Sequence, residues 1–304
     1  MSDPVGPPRR NLVTRLEFIE WRLFWEGHLN RSDLEEQFDI STPQASIDLR
    51  RYRELAAANI EYDATQKRFV APAEMKPRLL RGSANRLLLQ LRAWASGVLP
   101  REDLWFSELL PAAVAPEIGR NVRDQVLRRV IRAIRTRQAL SVRYQSLSSS
   151  RWRDIAPHAI VFDGHRWHAR AWCCEREEFR DFVLTRIERL GRLKPVSFDP
   201  EHDLQWTRTT TLRLSPHPGL TEEQSLAIQR DYDMSEGIRE IEVRLSLAYY
   251  FIKRMNLDID ELEPARAQIR LDNRDEVESA IRDAKSASKE LARTQIDFVR
   301  PAQS

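Results

Sequence analysis

Residues 159–173 read AIVFDGHRWHARAWC, and this stretch decides the fold of the middle of the chain. An apolar run leads into Asp163-Gly164, and an alternating run returns from it. An Asp-Gly pair between two such runs is a strong signal for a tight β-hairpin. Apolar residues also alternate over 140–144, and 179–187 supplies another strand pattern. Several short strands at this spacing predict a small β-barrel over residues 139–200.

Toward the N-terminus, residues 1–73 predict three helices and a hairpin. Leucine and isoleucine recur at helical spacing over 12–23, and Asn30 is expected to cap a short second helix. The segment 41–44, STPQ, is typical of a helix start, with Ser41 as the N-cap and Gln44 completing a capping box. Two short alternating segments then form a hairpin of wing size. This order describes a winged helix-turn-helix.

The outer face of the predicted third helix is polar and carries arginines. Arginines there suit guanine edges or phosphates, a glutamine suits an adenine edge, and basic residues of the hairpin suit backbone phosphates. A solvated face is the alternative, which the 10 basic and 12 acidic residues of 1–70 favour, since DNA-binding modules are usually basic. We interpret the face as DNA-reading because the order of caps, turn and wing is specific. The candidate DNA-binding residues are Thr42, Gln44, Ser46, Ile47, Arg50, Arg51, Lys67 and Arg68.

Two further regions complete the predicted organisation. Residues 74–138 are expected to form a helical linker whose 13 basic and 6 acidic residues suit either a DNA backbone or solvent. Residues 201–304 alternate strand and helix patterns, with a capping box at 221–224 and Asn273 as the cap of a last helix. This alternation predicts an α+β domain of the ferredoxin kind. The fold class is therefore α+β and multidomain.

Composition excludes several classes of function. The nine glycines form neither GxGxxG nor GxxxxGK[ST], so nucleotide-dependent catalysis through such phosphate loops is not expected. Cys173 and Cys174 are adjacent, which suits strand residues on opposite faces rather than a metal site. We predict no catalytic residues, no metal and no cofactor. The polar residues 1–10 lack the apolar core of a signal peptide, and no run reaches the ~18 apolar residues of a membrane span, so a cytoplasmic protein without membrane contact is expected.

The chain resembles the WYL-domain transcriptional regulators. The resemblance rests on Tyr144 with Ser146, on 156–158 (APH), on 167–169 (WHA, where the family has W-Y-L), and on 180–187 (RDFVLTRI, matching R-x-F-x-L-x-R-I). It keeps the tryptophan of the name motif and replaces its tyrosine and leucine. Within the family, the segment STPQAS and the short Trp-His form are most similar to the CapW and BrxR group, which is associated with CBASS and BREX phage-defence operons.

The resemblance implies a fold and a sensor. The implied domains are a winged helix-turn-helix over 1–73, a helical linker over 74–138, an Sm-like WYL barrel over 139–200 and a dimerisation domain over 201–304. WYL barrels look built to bind a nucleic-acid fragment or a nucleotide-like effector in a basic pocket. The pocket candidates are Ser146, His158, His168, Arg170, Arg180 and Arg186. Alternatively these arginines pair with nearby acids, namely Glu175, Glu177, Glu178, Asp181 and Glu188. Trp167, which alternates with alanines, is interpreted as a core residue.

The function expected is that of a homodimeric transcriptional regulator, most simply a repressor of a phage-defence operon. Two winged helices would read an inverted repeat in double-stranded operator DNA, and the effector would release them. An activator, or an adaptor that binds single-stranded nucleic acid through the barrel, is the alternative. An enzyme acting through His158 or His168 is a further rival, but no acid–base pair, nucleophile motif or metal-ligand set stands at diagnostic spacing.

Overall fold

The computed structural model describes residues 8–80, 84–108, 110–116, 118 and 120–299. Residues 1–7, which form most of the segment used to argue against a signal peptide, lie outside the described residues. The chain divides into two compact units, Met1–Ile118 and Gly119–Ser304. No helix within the described ranges is long and apolar enough to cross a membrane.

The first unit is a winged helix-turn-helix followed by a further helix, as predicted. A 3-10 turn, Ala57–Asn59, precedes the wing, and another, Arg101–Asp103, follows the last helix. The three strands form one antiparallel sheet in the order β1-β3-β2, of which β1 was not predicted. The elements are α1 Pro8–Glu26, β1 His28–Leu29, α2 Arg31–Phe38, α3 Thr42–Leu55, β2 Glu61–Asp63, β3 Arg68–Val70 and α4 Ala84–Ala95.

The inner face of α3 is apolar and buried. Ala45, Leu49 and Tyr52 are all buried against α1 and α2. Asp39 ends α2 in the left-handed conformation (φ 50°), which turns the chain sharply into α3. Ser41 caps α3 by accepting the Gln44 N–H at 3.4 Å. The Gln44 side chain does not complete the capping box, because its Nε2 donates to Asp48 Oδ1 at 3.0 Å instead.

A buried carboxylate ties α1 to the chain that leaves the wing. Glu20 is fully buried and accepts three backbone N–H groups, from Arg78 at 2.8 Å and from Leu79 and Leu80 at 2.6 Å each. The Tyr52 hydroxyl donates to the same carboxylate at 3.1 Å. Burial and the negative charge of Glu20 raise the pKa of Tyr52, so this phenol remains a donor. Glu20 therefore holds α1, α3 and the segment after the wing in one arrangement.

The second unit begins with a helix packed on a five-stranded antiparallel sheet. The sheet order is β7-β6-β5-β4-β8, and α5 buries Val126, Val130 and Ala133 against it. Among the described residues β7 and β8 are the edges of this sheet, which occupies the place of the predicted barrel and is called the barrel below. Residues 74–138 are thus divided, since α4 packs within the first unit and α5 within the second. The elements are α5 Asp124–Thr136, β4 Ala139–Gln145, β5 Ser150–Phe162, β6 Trp167–Cys173, β7 Glu178–Val183, a 3-10 turn Leu184–Arg186, and β8 Ile187–Lys194.

The Asp163-Gly164 hairpin forms where it was predicted. Asp163 Oδ1 accepts the N–H groups of His165 and Arg166 at 2.8 Å each, and Gly164 has φ +96°, which favours glycine. The strand pattern seen over 179–187 is broken at Val183 by a 3-10 turn. The following strand β8 was not predicted, because only Ile187, Leu190 and Leu193 of its residues pack against the core.

The C-terminal domain is α+β, as predicted, with a three-stranded antiparallel sheet in the order β10-β9-β11. This is one strand fewer than the β-α-β-β-α-β pattern of ferredoxin-like folds. Thr221 and Gln224 form the predicted capping box, whereas the Asn273 side chain bonds the backbone of β9 instead of capping. The elements are a 3-10 turn Pro200–His202, α6 Leu204–Thr207, β9 Thr209–Pro216, α7 Glu222–Asp231, β10 Arg239–Arg244, α8 Leu245–Arg254, α9 Pro264–Ala267, β11 Ile269–Leu271 and α10 Arg274–Val299.

Replacing Glu20 by glutamine tests its role in the first unit. Glu20→Gln turns one acceptor oxygen into an amide donor that faces buried N–H groups, so we expect a loss of about 2–3 kcal/mol in unfolding free energy. Urea unfolding of the first unit measures this change. Glu36→Gln on the exposed side of α2 is the matched control and should change stability by less than about 0.5 kcal/mol. Equal stability of the two variants would contradict the role assigned to Glu20.

Candidate functional site

The outer face of α3 presents two unpaired arginines. Arg50 and Arg51 are exposed, and no described residue makes a hydrogen bond or ion pair with either guanidinium. Ile47, one turn earlier, is 40% exposed. Thr42 is exposed at the first turn, and its carbonyl accepts from Ser46 Oγ at 2.9 Å. Two cations and an apolar side chain therefore face solvent on a helix whose opposite face is buried.

Gln44 is less free than its neighbours on this face. Its amide donates to Asp48, which is fully buried and also accepts Arg15 Nε at 2.6 Å. A side-chain amide held in this way has its NH₂ group partly engaged, and its oxygen remains the freer acceptor. The pair Arg15–Asp48 joins α1 to α3 and fixes the direction in which the outer face points.

The wing carries its two basic residues just before Phe69. Lys67 is exposed with φ 52°, and Arg68, which follows it at the start of β3, is half-buried. Asp63 Oδ1 closes the hairpin turn by accepting the N–H groups of Thr65 and Gln66. A cavity of about 200 Å³ opens between α3 and β3, and its lining is rich in arginine: Arg31, Ser46, Leu49, Arg50, Arg53 and Phe69.

Ser146 belongs to a turn. Its Oγ accepts the N–H of Ser149 at 3.0 Å and donates to the Ser149 carbonyl at 2.9 Å, which closes the loop between β4 and β5. These bonds occupy the hydroxyl within its own loop. The structure therefore gives Ser146 a role in shaping the loop and brings it near none of the cavities described below.

His158 is turned toward the C-terminal domain by a β-bulge. The register between β5 and β6 shifts between Pro157 and Ala159, and bulges of this kind re-aim a side chain. His158 Nε2 lies 3.0 Å from Asp203 Oδ2, and the ring meets Trp206 edge-on. Asp203 is fully buried just before α6, so His158 bridges the barrel and the C-terminal domain.

Arg170 makes the strongest contact across this junction. Its Nε and Nη2 donate to the two oxygens of Asp203 at 2.7 and 2.8 Å, and its Nη1 lies 3.3 Å from Asp181 Oδ2. Gln205 Oε1 accepts from Nη2 at 3.0 Å. Burial alone would lower the pKa of Arg170, but Asp203 and Asp181 outweigh it and raise that pKa. With four donor contacts made inside the protein, this guanidinium is largely committed.

His168 lies on the same strand face, two residues earlier. It is 2% exposed, stacks on Tyr250 at 5.2 Å, and places Nε2 3.6 Å from Asp163 Oδ2. Burial lowers the pKa of His168, against the opposing effect of Asp181 and Asp163, so the ring is neutral at neutral pH. Its Nδ1 has no hydrogen-bond partner among the described residues.

The remaining two arginines are differently placed from Arg170. Arg180 pairs in register with Ala171, and Asp181 pairs with Arg170, so Arg180 and Arg170 project from opposite sheet faces. Arg180 bonds Glu178 at 2.9 Å and is 47% exposed. Arg186 sits in the 3-10 turn, half-buried, and no described group makes a hydrogen bond or ion pair with it. The strand β7 ends at Val183, so Arg186 does not share its alternation with Arg180.

The second unit has several cavities, and two of them bear on the predicted pocket. The first, of about 490 Å³, lies where the barrel meets the C-terminal domain and is bordered by both Arg170 and Arg180. The second, of about 600 Å³, is lined mainly by apolar side chains of α5 and the barrel, and by Trp167. Trp167 is 47% exposed and lies 4.9 Å from the equally exposed Phe162 ring. The interpretation of Trp167 as a core residue is wrong, because at the start of β6 it lies at the end of the sheet.

Three family models match the chain, in order along its length. A BrxR transcriptional regulator winged helix-turn-helix domain matches residues 11–93, and a WYL domain matches residues 125–191. A BrxR transcriptional regulator C-terminal dimerization domain matches residues 209–277. These matches agree with the winged helix, the five-stranded sheet and the α+β domain described above.

Full-length relatives decide the family. The DNA-binding transcriptional repressor CapW of Stenotrophomonas maltophilia is 38% identical over 286 residues, which cover 92% of this chain and 95% of the relative. CapW of Pseudomonas aeruginosa is 37% identical over 274 residues, covering 88% and 91%. This chain belongs to the CapW family. Its members named here are DNA-binding transcriptional repressors, a role that involves no catalysis.

One solved structure adds little to this assignment. Proteasome accessory factor B/C (PafBC) of Arthrobacter aurescens is 17% identical and covers 89% of this chain and 46% of its own. Its TM-score is 0.29, which is too low for an inference about the fold. The CapW relatives, by contrast, span the whole arrangement of winged helix, WYL barrel and C-terminal domain.

Sequence reasoning missed the residues that hold the candidates in this CapW-family chain. Asp203 lies 33 residues after Arg170 in a segment without periodicity, and Tyr250 lies on a helix of the C-terminal domain. The sequence gives little indication of Asp203, since a single aspartate before an irregular segment stands at no characteristic spacing from a partner. The nearby acids named as alternative partners proved relevant in two cases, Glu178 for Arg180 and Asp181 for Arg170.

Acid titration of stability tests the buried Asp203. Burial alone would raise the pKa of Asp203, but bonds from Arg170 and His158 hold it below its ordinary value of 3.8. A depressed carboxyl pKa contributes stability above the unfolded pKa that is lost as pH falls through the folded one. The wild type should therefore lose stability as the pH falls below about 4, and Asp203→Asn should lose less there.

At neutral pH, Asp203→Asn should cost about 3–5 kcal/mol, because the buried Arg170 loses the carboxylate that accepts two of its bonds and keeps only Asp181, at 3.3 Å, as a charged partner. Urea unfolding of the full chain at a series of pH values measures both effects. Asp233→Asn, which removes an acid that is 90% exposed from its pair with Arg239, is the matched control. A neutral-pH loss no larger than that of the control would refute the importance of the buried pair.

Proposed function

We propose that the chain is a sequence-specific DNA-binding repressor that reads an inverted repeat in double-stranded operator DNA. The observation that supports this proposal is the outer face of α3, the helix that follows the turn of the helix-turn-helix. Arg50 and Arg51 are exposed there, and no described residue pairs with either guanidinium. Arginine forks in this position suit guanine edges or phosphates. The names of the CapW relatives support the same role.

The working form is a homodimer. The match of residues 209–277 to a dimerization domain supports this state. A two-fold dimer carries two reading heads related by the same symmetry as an inverted repeat. The DNA contacts proposed are Thr42, Gln44, Ser46, Ile47, Arg50 and Arg51 of α3, with Lys67 and Arg68 of the wing on backbone phosphates.

The proposed control is release by a nucleic-acid or nucleotide-like effector at the WYL domain. An effector that favours one of two dimer arrangements shifts the population, and DNA and effector then weaken each other's binding reciprocally. Among the pocket candidates, Arg180 and Arg186 retain the most freedom, since Arg170 and His158 are held by Asp203. The regulated genes proposed are a phage-defence operon, on the strength of the resemblance to the CapW and BrxR group.

A second candidate is an adaptor that binds single-stranded nucleic acid through the barrel. The half-exposed rings of Phe162 and Trp167, 4.9 Å apart, favour it because exposed aromatic faces stack on unpaired bases. If this is the main task, the full chain prefers single strands over operator duplex, and Trp167→Ala removes that preference. If repression is the main task, the duplex is preferred and Trp167→Ala leaves operator affinity unchanged.

The DNA-reading face is tested by titrating a labelled duplex from the chain's own promoter beside a scrambled duplex. Arg50→Ala and Arg51→Ala should each weaken specific binding by about 1–3 kcal/mol where they contact a base. A residue that contacts phosphate instead lowers the salt slope by about one. Arg266→Ala, an exposed arginine without a described partner in the second unit, is the control and should bind like the wild type. Unchanged binding by both α3 variants would refute the proposal.

The sensor role is tested separately from the DNA-reading role. Arg180→Ala and Arg186→Ala should leave operator affinity intact and abolish derepression, because they change effector binding and not the reading heads. A reporter fused to the operator, with circular dichroism as the check on folding, measures both. Folded variants that fail to bind the operator would show that the sensor assignment is wrong.

A further inference from the structure

The 490 Å³ cavity at the junction of barrel and C-terminal domain is lined by two residues whose side chains each hold a buried polar atom without a partner among the described residues. Ser246, on its wall, is 6% exposed, and its Oγ has no hydrogen-bond partner in the described chain. Asp181, on the opposite element, likewise leaves Oδ1 unpartnered. Buried polar groups are nearly always hydrogen-bonded, and leaving one unpaired is costly. Two such atoms on one cavity indicate that a ligand completes the site.

One end of the cavity suits an anion. Ser246 is the second residue of α8, a ten-residue helix whose first N–H groups lack intrahelical partners and carry the positive end of the dipole. Arg180 and Lys285 border the same space, 47% and 59% exposed. Both approach Glu178, at 2.9 and 3.9 Å, so two cations share one carboxylate. A hydroxyl, a helix N-terminus and a surplus cation are the groups that bind phosphate.

The rest of the cavity suits a nucleoside. Asp181 already accepts from Arg170 and from the Tyr250 hydroxyl at 3.0 Å through Oδ2, so its free Oδ1 requires a further donor. A phosphate alone does not satisfy it, whereas a sugar hydroxyl or a base amino group does. Tyr249 borders the cavity with its ring 52% exposed, as an aromatic surface for a base. The volume lies within the 300–1,000 Å³ range usual for small-molecule pockets.

We infer that this cavity binds a nucleoside monophosphate unit, free or at the 5′ end of a short strand. Ser246, Lys285 and Arg180 hold the phosphate, Asp181 accepts from the sugar or base, and Tyr249 stacks on the base. This inference rests on the proposed effector and adds three residues of the C-terminal domain that the barrel motifs do not include. The bound unit contacts Asp181 and Gln205, which are also partners of Arg170. Its binding therefore affects the contact between the two domains.

Calorimetry on the full chain tests the inference with four probes: adenosine 5′-monophosphate, adenosine, inorganic phosphate and a 5′-phosphorylated thymidine dinucleotide. We expect the monophosphate or the dinucleotide to bind at least about tenfold more tightly than adenosine or phosphate alone, because each of these supplies part of the contacts. If the monophosphate binds more tightly than the dinucleotide, the source of the ligand is a free nucleotide. If the dinucleotide binds more tightly, the source is the end of a strand.

Two variants locate the binding. Ser246→Ala and Lys285→Ala should each weaken the monophosphate or dinucleotide by about tenfold or more. Ser246→Ala removes an unpartnered hydroxyl, so the variant should be at least as stable as the wild type, which separates lost binding from lost folding. Lys289→Ala, one turn further along α10 and outside the cavity lining, is the control and should bind normally.

The outcomes separate this inference from the proposed function. If the wild type binds its operator but no nucleotide probe, or binds one equally well in both variants, the cavity assignment is wrong and the repressor proposal stands. Equal binding of phosphate and monophosphate would overturn the nucleoside part. If operator binding itself fails while the monophosphate binds and both variants weaken it, the repressor proposal fails and the cavity assignment stands.

Discussion

The fork of Arg170 on Asp203 is the interaction on which the second unit depends. A barrel strand supplies the guanidinium, the segment before α6 supplies the carboxylate, and both are almost wholly buried. Removing either partner would leave the other buried charge with weaker compensation, by Asp181 for Arg170 or by His158 for Asp203. The pair therefore fixes how the two domains contact each other. The bulge at His158 adds a second bond to the same carboxylate. Anything that alters Asp203 or Asp181 therefore alters how the barrel meets the C-terminal domain.

The sequence predicted what local chemistry determines. The Asp-Gly hairpin, the N-cap at Ser41 and the capping box at Thr221 depend on neighbouring residues, and each formed where expected. The sheet partner β1 and the true role of Asn273 depend on distant strands, so periodicity gave no sign of them. The candidate pocket divides in the same way. The sequence indicated its candidate residues. It did not indicate that Arg170 is paired inside the protein, because that depends on Asp203, whose position is set by tertiary structure.

The net charge of the reading head is misleading for the same reason. Residues 1–70 hold more acids than bases, but Glu20 and Asp48 are fully buried. The Glu20 carboxylate accepts hydrogen bonds from three backbone N–H groups and a tyrosine, and Asp48 pairs with Arg15. These two acids are therefore turned inward and do not face solvent, while Arg50 and Arg51 remain outside. Electrostatic attraction to DNA depends on the charge that faces the phosphates and not on the total.

A ligand shifts an equilibrium only by its differential affinity for the two states. The proposed effector changes the arrangement of the dimer only if it contacts groups whose separation differs between the two states. The junction cavity meets the requirement, because β7 supplies Arg180 and Asp181 while α8 and α10 supply the other wall. A ligand that needs both walls binds only when they stand at the right separation. In the proposed mechanism, the binding energy of such a ligand would act on the contact between Arg170 and Asp203.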